Sequence, residues 1–299
     1  MPSREQLIQC TQSIVSMAIA EDFGLGEADS GDITTEALIS PEILGEAIIL
    51  AKERLVVCGN EVAIEVCKQV DERLQYQILI GDGETAENGQ YIARIIGPFS
   101  GILKAERTLL NFMQRLSGVA SATAQVVRAL EGTGVKVLDT RKTTPGLRLL
   151  EKYAVKLGGG ENHRFGLYDQ VLIKNNHIDA IGGDVAEAIR RCRDSVREGV
   201  KIEVEVRNES ELRQALSEVP DAILLDNMKL EELRSSVKIV KSMASGKEIE
   251  LEASGGIDLS KARAIAETGV TSLSMGSLTH TVRAADISLR WVGPQKKIS

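Results

Sequence analysis

The sequence predicts an α/β protein built in two parts, and three observations carry that reading. From Val135 onward, strand-like and helix-like patterns alternate, which marks parallel βα units arranged as a barrel or an open sheet. Between Glu46 and Gly101, short apolar runs are separated by turn signals, which marks an α+β unit dominated by antiparallel strands. The 299 residues, 43% hydrophobic, suffice for one large barrel or for two domains with a sizeable core.

The elements follow in order. Leu7 to Ala20 ends in Ala18-Ile19-Ala20, like a signal peptide, but Gln9, Thr11, Gln12 and Ser13 interrupt its apolar run and only Arg4 precedes it as a basic residue. An amphipathic helix is expected there instead. Glu21 to Thr35, rich in Gly and Asp, reads as a connection. Strands are expected at Ala47–Ala51, Leu55–Val57, Tyr76–Ile80 and Tyr91–Gly97, set apart by Gly83, Asn88-Gly89 and Gly97-Pro98, with helical spacing from Glu61 to Val70. Ile102 to Leu130 reads as one or two closely packed helices, with Ser117, Gly118, Ala120, Ser121 and Ala122 as small residues at the contact. Six strands are then expected near 135–140, 171–175, 201–207, 222–227, 248–254 and 271–275, short of a complete eight-stranded barrel.

Composition limits the partners. With 36 basic against 43 acidic residues the net charge is -7, which argues against a nucleic-acid or anionic membrane surface. No stretch approaches the roughly eighteen apolar residues of a membrane span. Cys10, Cys58, Cys67 and Cys192 form no CxxC pair and sit among apolar neighbours, so they are expected to be reduced core residues in a cytoplasmic protein.

Chemistry is expected at the carboxyl ends of the strands, which converge on one face in βα architectures. Those ends carry Thr140-Arg141-Lys142, Lys174-Asn175-Asn176, Glu203 and Glu205, Asp226-Asn227, Ser254-Gly255-Gly256 and Gly276-Ser277. Cations gathered there suit a strongly anionic small molecule. Arg141 and Arg164 present planar forks suited to carboxylates, whereas Lys142 and Lys174 are compact charges suited to phosphates. Arg148, Lys152 and Lys156 on the following helix read as a solvated face. The two last Gly loops would let backbone N–H groups approach a phosphate, although ordinary tight turns would use the same glycines. His280 follows the second loop and could bind phosphate or fill space. Gly158-Gly159-Gly160 matches no nucleotide fingerprint and reads as a mobile turn presenting His163 and Arg164. Glu203 and Glu205 face the same side of one strand, and Asp226 ends the next. Such carboxylates could hold magnesium, do acid–base work, or pair with Lys142, Lys174 or Arg207.

These segments resemble one family closely, the quinolinate phosphoribosyltransferases, also called carboxylating nicotinate-nucleotide pyrophosphorylases. The matching stretches are EDFGLG with GDITT, ERTLLNFMQRLSG, DTRKTTPGLRLLEKYAVKLGGGENHR, LIKNNH, EVEV, LLDN, EASGGI and MGSLTH, in the family's order. The resemblance implies an N-terminal α/β sandwich domain, residues 1–116, beside an open, incomplete, TIM-like α/β barrel, residues 117–282, with residues 283–299 packing back on the first. It implies a homodimer with shared active sites, and magnesium as cofactor. It implies a pentosyltransferase that joins quinolinate to phosphoribosyl pyrophosphate and releases pyrophosphate and carbon dioxide, giving nicotinate mononucleotide for NAD synthesis. Arg107, Arg141, His163 and Arg164 would hold the quinolinate carboxylates, with Thr140 beside them, and Lys142 and Lys174 would reach substrate or ribose phosphates. Glu205 and Asp226 would orient the metal diphosphate, and Ser254, Gly255, Gly256, Gly276, Ser277 and His280 would cradle the 5-phosphate. The chain departs from the family pattern at Asn175, commonly aspartate, at Ser277, commonly alanine, and in the insertion around Glu27 to Ser30. A paralogue associated with molybdenum transport tends to lose the equivalents of Thr143, Thr144 and Lys174, which are present here. The same cationic rim would also serve a nicotinate phosphoribosyltransferase, which accepts nicotinate and couples to ATP, or a non-catalytic protein that binds a phosphorylated ligand.

Overall fold

The computed structural model describes residues 4–24, 31–243 and 248–294, so the Glu27 to Ser30 insertion lies outside the described residues. In chain order the elements are α1 (Arg4–Phe23), α2 (Ile33–Leu38), β1 (Leu44–Ala51), β2 (Leu55–Val56), α3 (Asn60–Val70), β3 (Gln75–Ile78), β4 (Thr85–Ala86), β5 (Tyr91–Pro98) and α4 (Phe99–Ala129). There follow β6 (Lys136–Leu138), α5 (Arg148–Leu157), β7 (Val171–Ile173), α6 (Asn175–Ala180), α7 (Val185–Ser195), β8 (Ile202–Val206) and α8 (Glu209–Glu218). The last are β9 (Ala222–Asp226), α9 (Leu230–Met243), β10 (Glu250–Ser254), α10 (Leu259–Ala266), β11 (Ser272–Ser274), α11 (Ser277–His280) and β12 (Ile287–Pro294). No described helix is long and apolar enough to cross a membrane.

Two compact units result, one of Met1–Ala124, Thr144–Gly159 and Thr281–Ser299, the other of Gln125–Thr143 and Gly160–His280. In the first unit an antiparallel sheet runs in the order β12-β1-β5-β3, beside a two-stranded β2-β4 ribbon. The connection expected at Glu21 to Thr35 contains the start of a short helix, α2, because Asp32 accepts hydrogen bonds from the amides of Thr34 and Thr35 and so caps it. α4 is one continuous helix. Its buried Ile102, Ala105, Leu109, Met113 and Leu116 recur every three or four residues, which gives it a single apolar stripe. Its small residues serve a strand, a loop and the end of α5, where Gly158 approaches Ala120. Ser121 Oγ accepts from Val56 N at 2.8 Å, Ser117 Oγ accepts from Cys58 N at 3.0 Å, and Gly118 lies against the Arg283 carbonyl.

α5 also belongs to this unit, so residues 144–159 leave the barrel to which the sequence boundaries of 117 and 282 would assign them. A buried ion pair with α4, braced by a hydroxyl, is responsible. Arg115 Nη2 meets the fully buried Glu151 carboxylate at 2.7 Å, and Thr144 Oγ1 donates to the same oxygen at 2.7 Å. Lys152, expected on a solvated face, is only 1% exposed, because α5 is enclosed on more than one side and buries Leu149, Leu150, Glu151, Ala154 and Val155 as well. Gly158 and Gly160 are buried, so the expected mobile turn is a packed one. Of the cysteines, none is bonded to another; Cys58 and Cys67 are core residues, whereas Cys10 and Cys192 are half-buried.

In the second unit six parallel strands run β6-β11-β10-β9-β8-β7, with helices between them, as the alternating pattern requires. β6 and β7 are edges and do not pair, which leaves the barrel open. Glu161 lies beside β6, its N–H bonded to Val137 O at 2.7 Å and its carbonyl accepting from Asp139 N at 3.2 Å. The register pairs Ser254 with Asp226 and Ser274 with Leu138, so the loops after β6, β9, β10 and β11 leave from one level.

Gly158 supplies a test of the α4–α5 contact. A Cβ there would overlap Ala120 O and stand 2.6 Å from Thr123 Cβ. Gly158→Ala should lower unfolding stability by about 1–3 kcal/mol through overpacking, read as a lower urea midpoint at unchanged slope. An unchanged midpoint would mean that the two helices are not held at this spacing.

Candidate active site

The site is built on the carboxyl rim of the second unit, and its first part is an anchored turn. Asp139, fully buried at the end of β6, accepts from Asn162 Nδ2 at 2.6 Å and from His163 N at 2.9 Å. That carboxylate therefore fixes where the His163-Arg164 pair enters. Arg164 Nη1 donates to Gln170 O at 3.2 Å, and Asp169 ties the loop between them by accepting from Phe165 N and Gly166 N. Burial, and then the neighbouring Arg141 guanidinium, hold the proton affinity of Arg164 below its usual value. Arg141 is itself exposed. Two guanidinium groups thus stand near one another, an arrangement that an anion relieves.

Glu203 and Glu205, two residues apart on β8, do different things. Glu205, 7% exposed, meets Lys174 Nζ at 2.7 Å, so one of the pairings considered for these acids is realised. Lys174 also begins α6, its N–H donating to His177 Nδ1 at 3.0 Å. Arg207, another candidate partner, is engaged with Asp179 and Glu211. Glu203 instead accepts from Gln170 Nε2 at 2.8 Å and faces His163 Nε2 at 3.1 Å, with Glu252 at 3.5 Å from the same nitrogen. His163 Nδ1 accepts from Arg164 N at 2.7 Å. Both ring nitrogens of His163 are therefore committed within the protein. Burial, with the charge of Glu203, pushes the Glu252 carboxyl up to about 7.

The remaining candidates form a cradle of close approaches. Gly255 and Gly256 have φ of 96° and 58°, and a Cβ on Gly255 would come within 2.5 Å of Asn227 Cγ. Asn227 itself has φ 54° and donates its N–H to Ser254 O at 2.9 Å. Ser274 Oγ donates to Ser254 Oγ at 2.9 Å. At Gly276 a Cβ would stand 2.9 Å from both Lys142 Cδ and His280 Cδ2, so only glycine allows those two side chains to meet over it. Lys142 is held by its main chain: its N–H donates to Thr140 Oγ1 at 3.0 Å and its carbonyl accepts from Thr279 Oγ1 at 2.7 Å. Ser277 opens α11. Asp226, half-buried, accepts from Asn227 Nδ2 at 2.9 Å. Arg107 lies in the first unit, exposed on α4 beside a depression lined by Asp22, Asn111 and Arg115.

Two family models match the chain, the N-terminal domain of quinolinate phosphoribosyl transferase over residues 32–117 and its C-terminal domain over residues 119–290. The chain belongs to the quinolinate phosphoribosyltransferase family. It is 42% identical over 267 residues to a probable nicotinate-nucleotide pyrophosphorylase [carboxylating] of Bacillus subtilis (strain 168), covering 89% of this chain and 90% of that one. It is 37% identical over 293 residues to quinolinate phosphoribosyltransferase [decarboxylating] 1b of Nicotiana tabacum, covering 93% and 81%. The solved nicotinate-nucleotide pyrophosphorylase of Francisella tularensis superposes with a TM-score of 0.88 at 38% identity, over 95% of this chain and 96% of that one.

Three residues have a place that the sequence did not reveal. Asp139 and Gln170 position Arg164, and His177 caps the helix that Lys174 begins. Asp139 was visible only as a carboxylate preceding TRK, a charged residue where an apolar strand end is the norm. Among the family departures, Asn175 keeps its Oδ1 buried without a hydrogen-bond partner.

Asp139→Asn should test the anchor, because the new amide would oppose the Asn162 amide donor to donor. We expect a loss of about 1–3 kcal/mol in unfolding stability, together with faster hydrogen exchange at the amides of Asn162, His163 and Arg164. Unchanged exchange would show that Asp139 does not hold the turn.

Proposed function

We infer that this chain transfers the phosphoribosyl group of phosphoribosyl pyrophosphate to quinolinate and releases carbon dioxide, giving nicotinate mononucleotide and pyrophosphate for NAD synthesis. The observation that carries the reading is the pair of neighbouring guanidinium groups, Arg141 and Arg164, on the carboxyl rim of the parallel sheet in a chain of this family. Two neighbouring planar forks suit a molecule with two adjacent carboxylates. Lys142 and His280, meeting over Gly276, with the Gly255-Gly256 loop, suit the 5-phosphate, and Lys174 suits the substrate or ribose phosphates.

The reaction asks little proton transfer of the protein. The pyridine nitrogen bonds to the anomeric carbon as the carbon–oxygen bond to diphosphate breaks, and the sugar passes through an oxocarbenium-like state. The resulting pyridinium accepts the electron pair left when the adjacent carboxylate departs as carbon dioxide, and that carbon then takes a proton. The chain's main tasks are to hold two polyanions together and to screen them from each other. Carboxylates at Glu205 and Asp226 favour the developing positive sugar. Their hard oxygen donors also fit magnesium, since Asp226 spends one contact on the Asn227 amide and makes no ion pair with a described residue. When bound, magnesium would neutralise the leaving diphosphate.

We further propose a cytoplasmic homodimer. Four unbonded cysteines support a reducing compartment, and the exposed Arg107, on a different unit from the other cations, supports a site shared between two chains.

Release of carbon dioxide from quinolinate, dependent on phosphoribosyl pyrophosphate and absent with nicotinate in its place, is the primary test. In the same assay Arg141→Lys should lower kcat/KM for quinolinate roughly ten- to a hundredfold, equivalent to about 1.5–3 kcal/mol, because an ammonium cannot reproduce the fork. Near wild-type efficiency would sink the carboxylate assignment. For the shared site, Arg107→Ala and Arg141→Ala should each be nearly inactive, and random subunit exchange should return about a quarter of wild-type activity. Heterodimers confirmed by mass with no recovered activity would place Arg107 in its own subunit's site.

A further inference from the structure

Beneath the cationic rim, His163, Glu203 and Glu252 bring three ligand-type atoms within 4.8 Å of one another, all inside the second unit. Their spacing would suit a metal ion, but the histidine excludes it. Arg164 N–H donates to His163 Nδ1, so the neutral ring carries its proton on Nε2, the nitrogen that faces both carboxylates. A protonated Nε2 donates a hydrogen bond and has no lone pair for a metal.

The contacts close a ring instead. Arg164 N bonds to His163, His163 Nε2 to Glu203, Glu203 to the Gln170 amide, and Gln170 O back to Arg164 Nη1. Glu203 therefore holds Arg164 at both ends, through its main chain and through its guanidinium. We propose that Glu203 and Glu252 are positioning residues for quinolinate, acting through His163 and Gln170 to fix the direction of the Arg164 fork. This rests on the reading that Arg141 and Arg164 receive quinolinate.

Glu252 decides when the ring is stable. Nε2 has one hydrogen to offer and two carboxylates beside it, so only one of them can be a satisfied anion. Glu252, 3% exposed with Oε1 lacking a partner, is the one that takes up a proton. From β8 it faces Glu203, from just before that strand Lys201, from β11 the Ser274 hydroxyl, and from the 161–164 turn His163; its register partner on β9 is Leu224. Lys201 is itself engaged by Glu250 at 2.6 Å. A cavity of about 980 Å³ running to the strand starts reaches Glu252 and gives it access to solvent protons. Once Glu252 ionises, two buried anions compete for one N–H and the ring around Arg164 loosens.

The sign follows from a raised carboxyl pKa. The contribution is present in full below the ordinary glutamate range and is lost as pH rises through about 7. Steady-state kinetics from about pH 6 to about pH 9 should show KM for quinolinate rising about tenfold while KM for phosphoribosyl pyrophosphate changes little. Glu252→Gln, which imitates the neutral acid, should keep the low-pH KM and abolish the rise. Glu203→Gln should raise KM for quinolinate about tenfold at every pH, because the charged acceptor is gone. A KM for quinolinate that is flat with pH in the wild type, or Glu252→Gln as impaired as Glu252→Ala, overturns the inference. Absence of quinolinate turnover in the wild type overturns the functional reading instead. Should the variants fail to fold, nitrogen spectra of the three histidines in the wild type still decide: His163 must be the Nε2–H tautomer at about pH 6.5, and an Nδ1–H ring overturns the ring of contacts.

Discussion

The structure depends on keeping like charges together. Arg141 and Arg164 oppose one another on the rim, and an arrangement of cations without ligand would spread apart unless something beneath held it. What holds it is a second layer of buried carboxylates. Asp139 fixes the main chain entering Arg164, Glu203 reaches it through His163 and Gln170, and Glu205 takes Lys174. Glu203 and Glu205 lie within β8 and Asp139 directly follows β6, so the rigid sheet carries most of the charge balance. A receptor prepared in this way has already met part of the cost of gathering its cations before any anion arrives.

A second constraint is close approach. Gly255, Gly276 and Gly158 sit where a methyl group would collide with Asn227, with Lys142 and His280, and with α4 respectively. Two of these glycines shape the candidate phosphate cradle and one lets α5 dock on α4. The same small side chain thus serves ligand geometry in one unit and helix packing in the other. Polar atoms follow the same economy: Ser274, Ser254 and Thr279 use their hydroxyls to tie one strand end to the next.

The connectivity follows from burial as much as from periodicity. α5 lies in sequence between β6 and β7, where a barrel would place its own covering helix. Arg115 and Glu151 instead draw it into the first unit, because a buried carboxylate needs its cation and its hydrogen bonds in one place. The barrel is left open there, and residues at Glu161 partly line its edge.

The sequence by itself determined the six parallel strands, the antiparallel first third and the helical character of Ile102 to Leu130, though not that it is one helix, since each depends on side-chain period and local turn chemistry. It also determined the cationic strand ends and the paired Gly loops, because charge or glycine at the end of an apolar run is local information. Tertiary structure alone decided the partners. Nothing in the spacing of Glu203 and Glu205 says that one meets His163 and the other Lys174, nor that Asp139 anchors a turn more than twenty residues away. Lys152 shows the same limit: a lysine at helical spacing reads as solvated, and only the enclosure of α5 buries it. Periodicity reports which way a residue faces within its element, whereas the partner it meets is set by strand order and register, which long-range packing chooses.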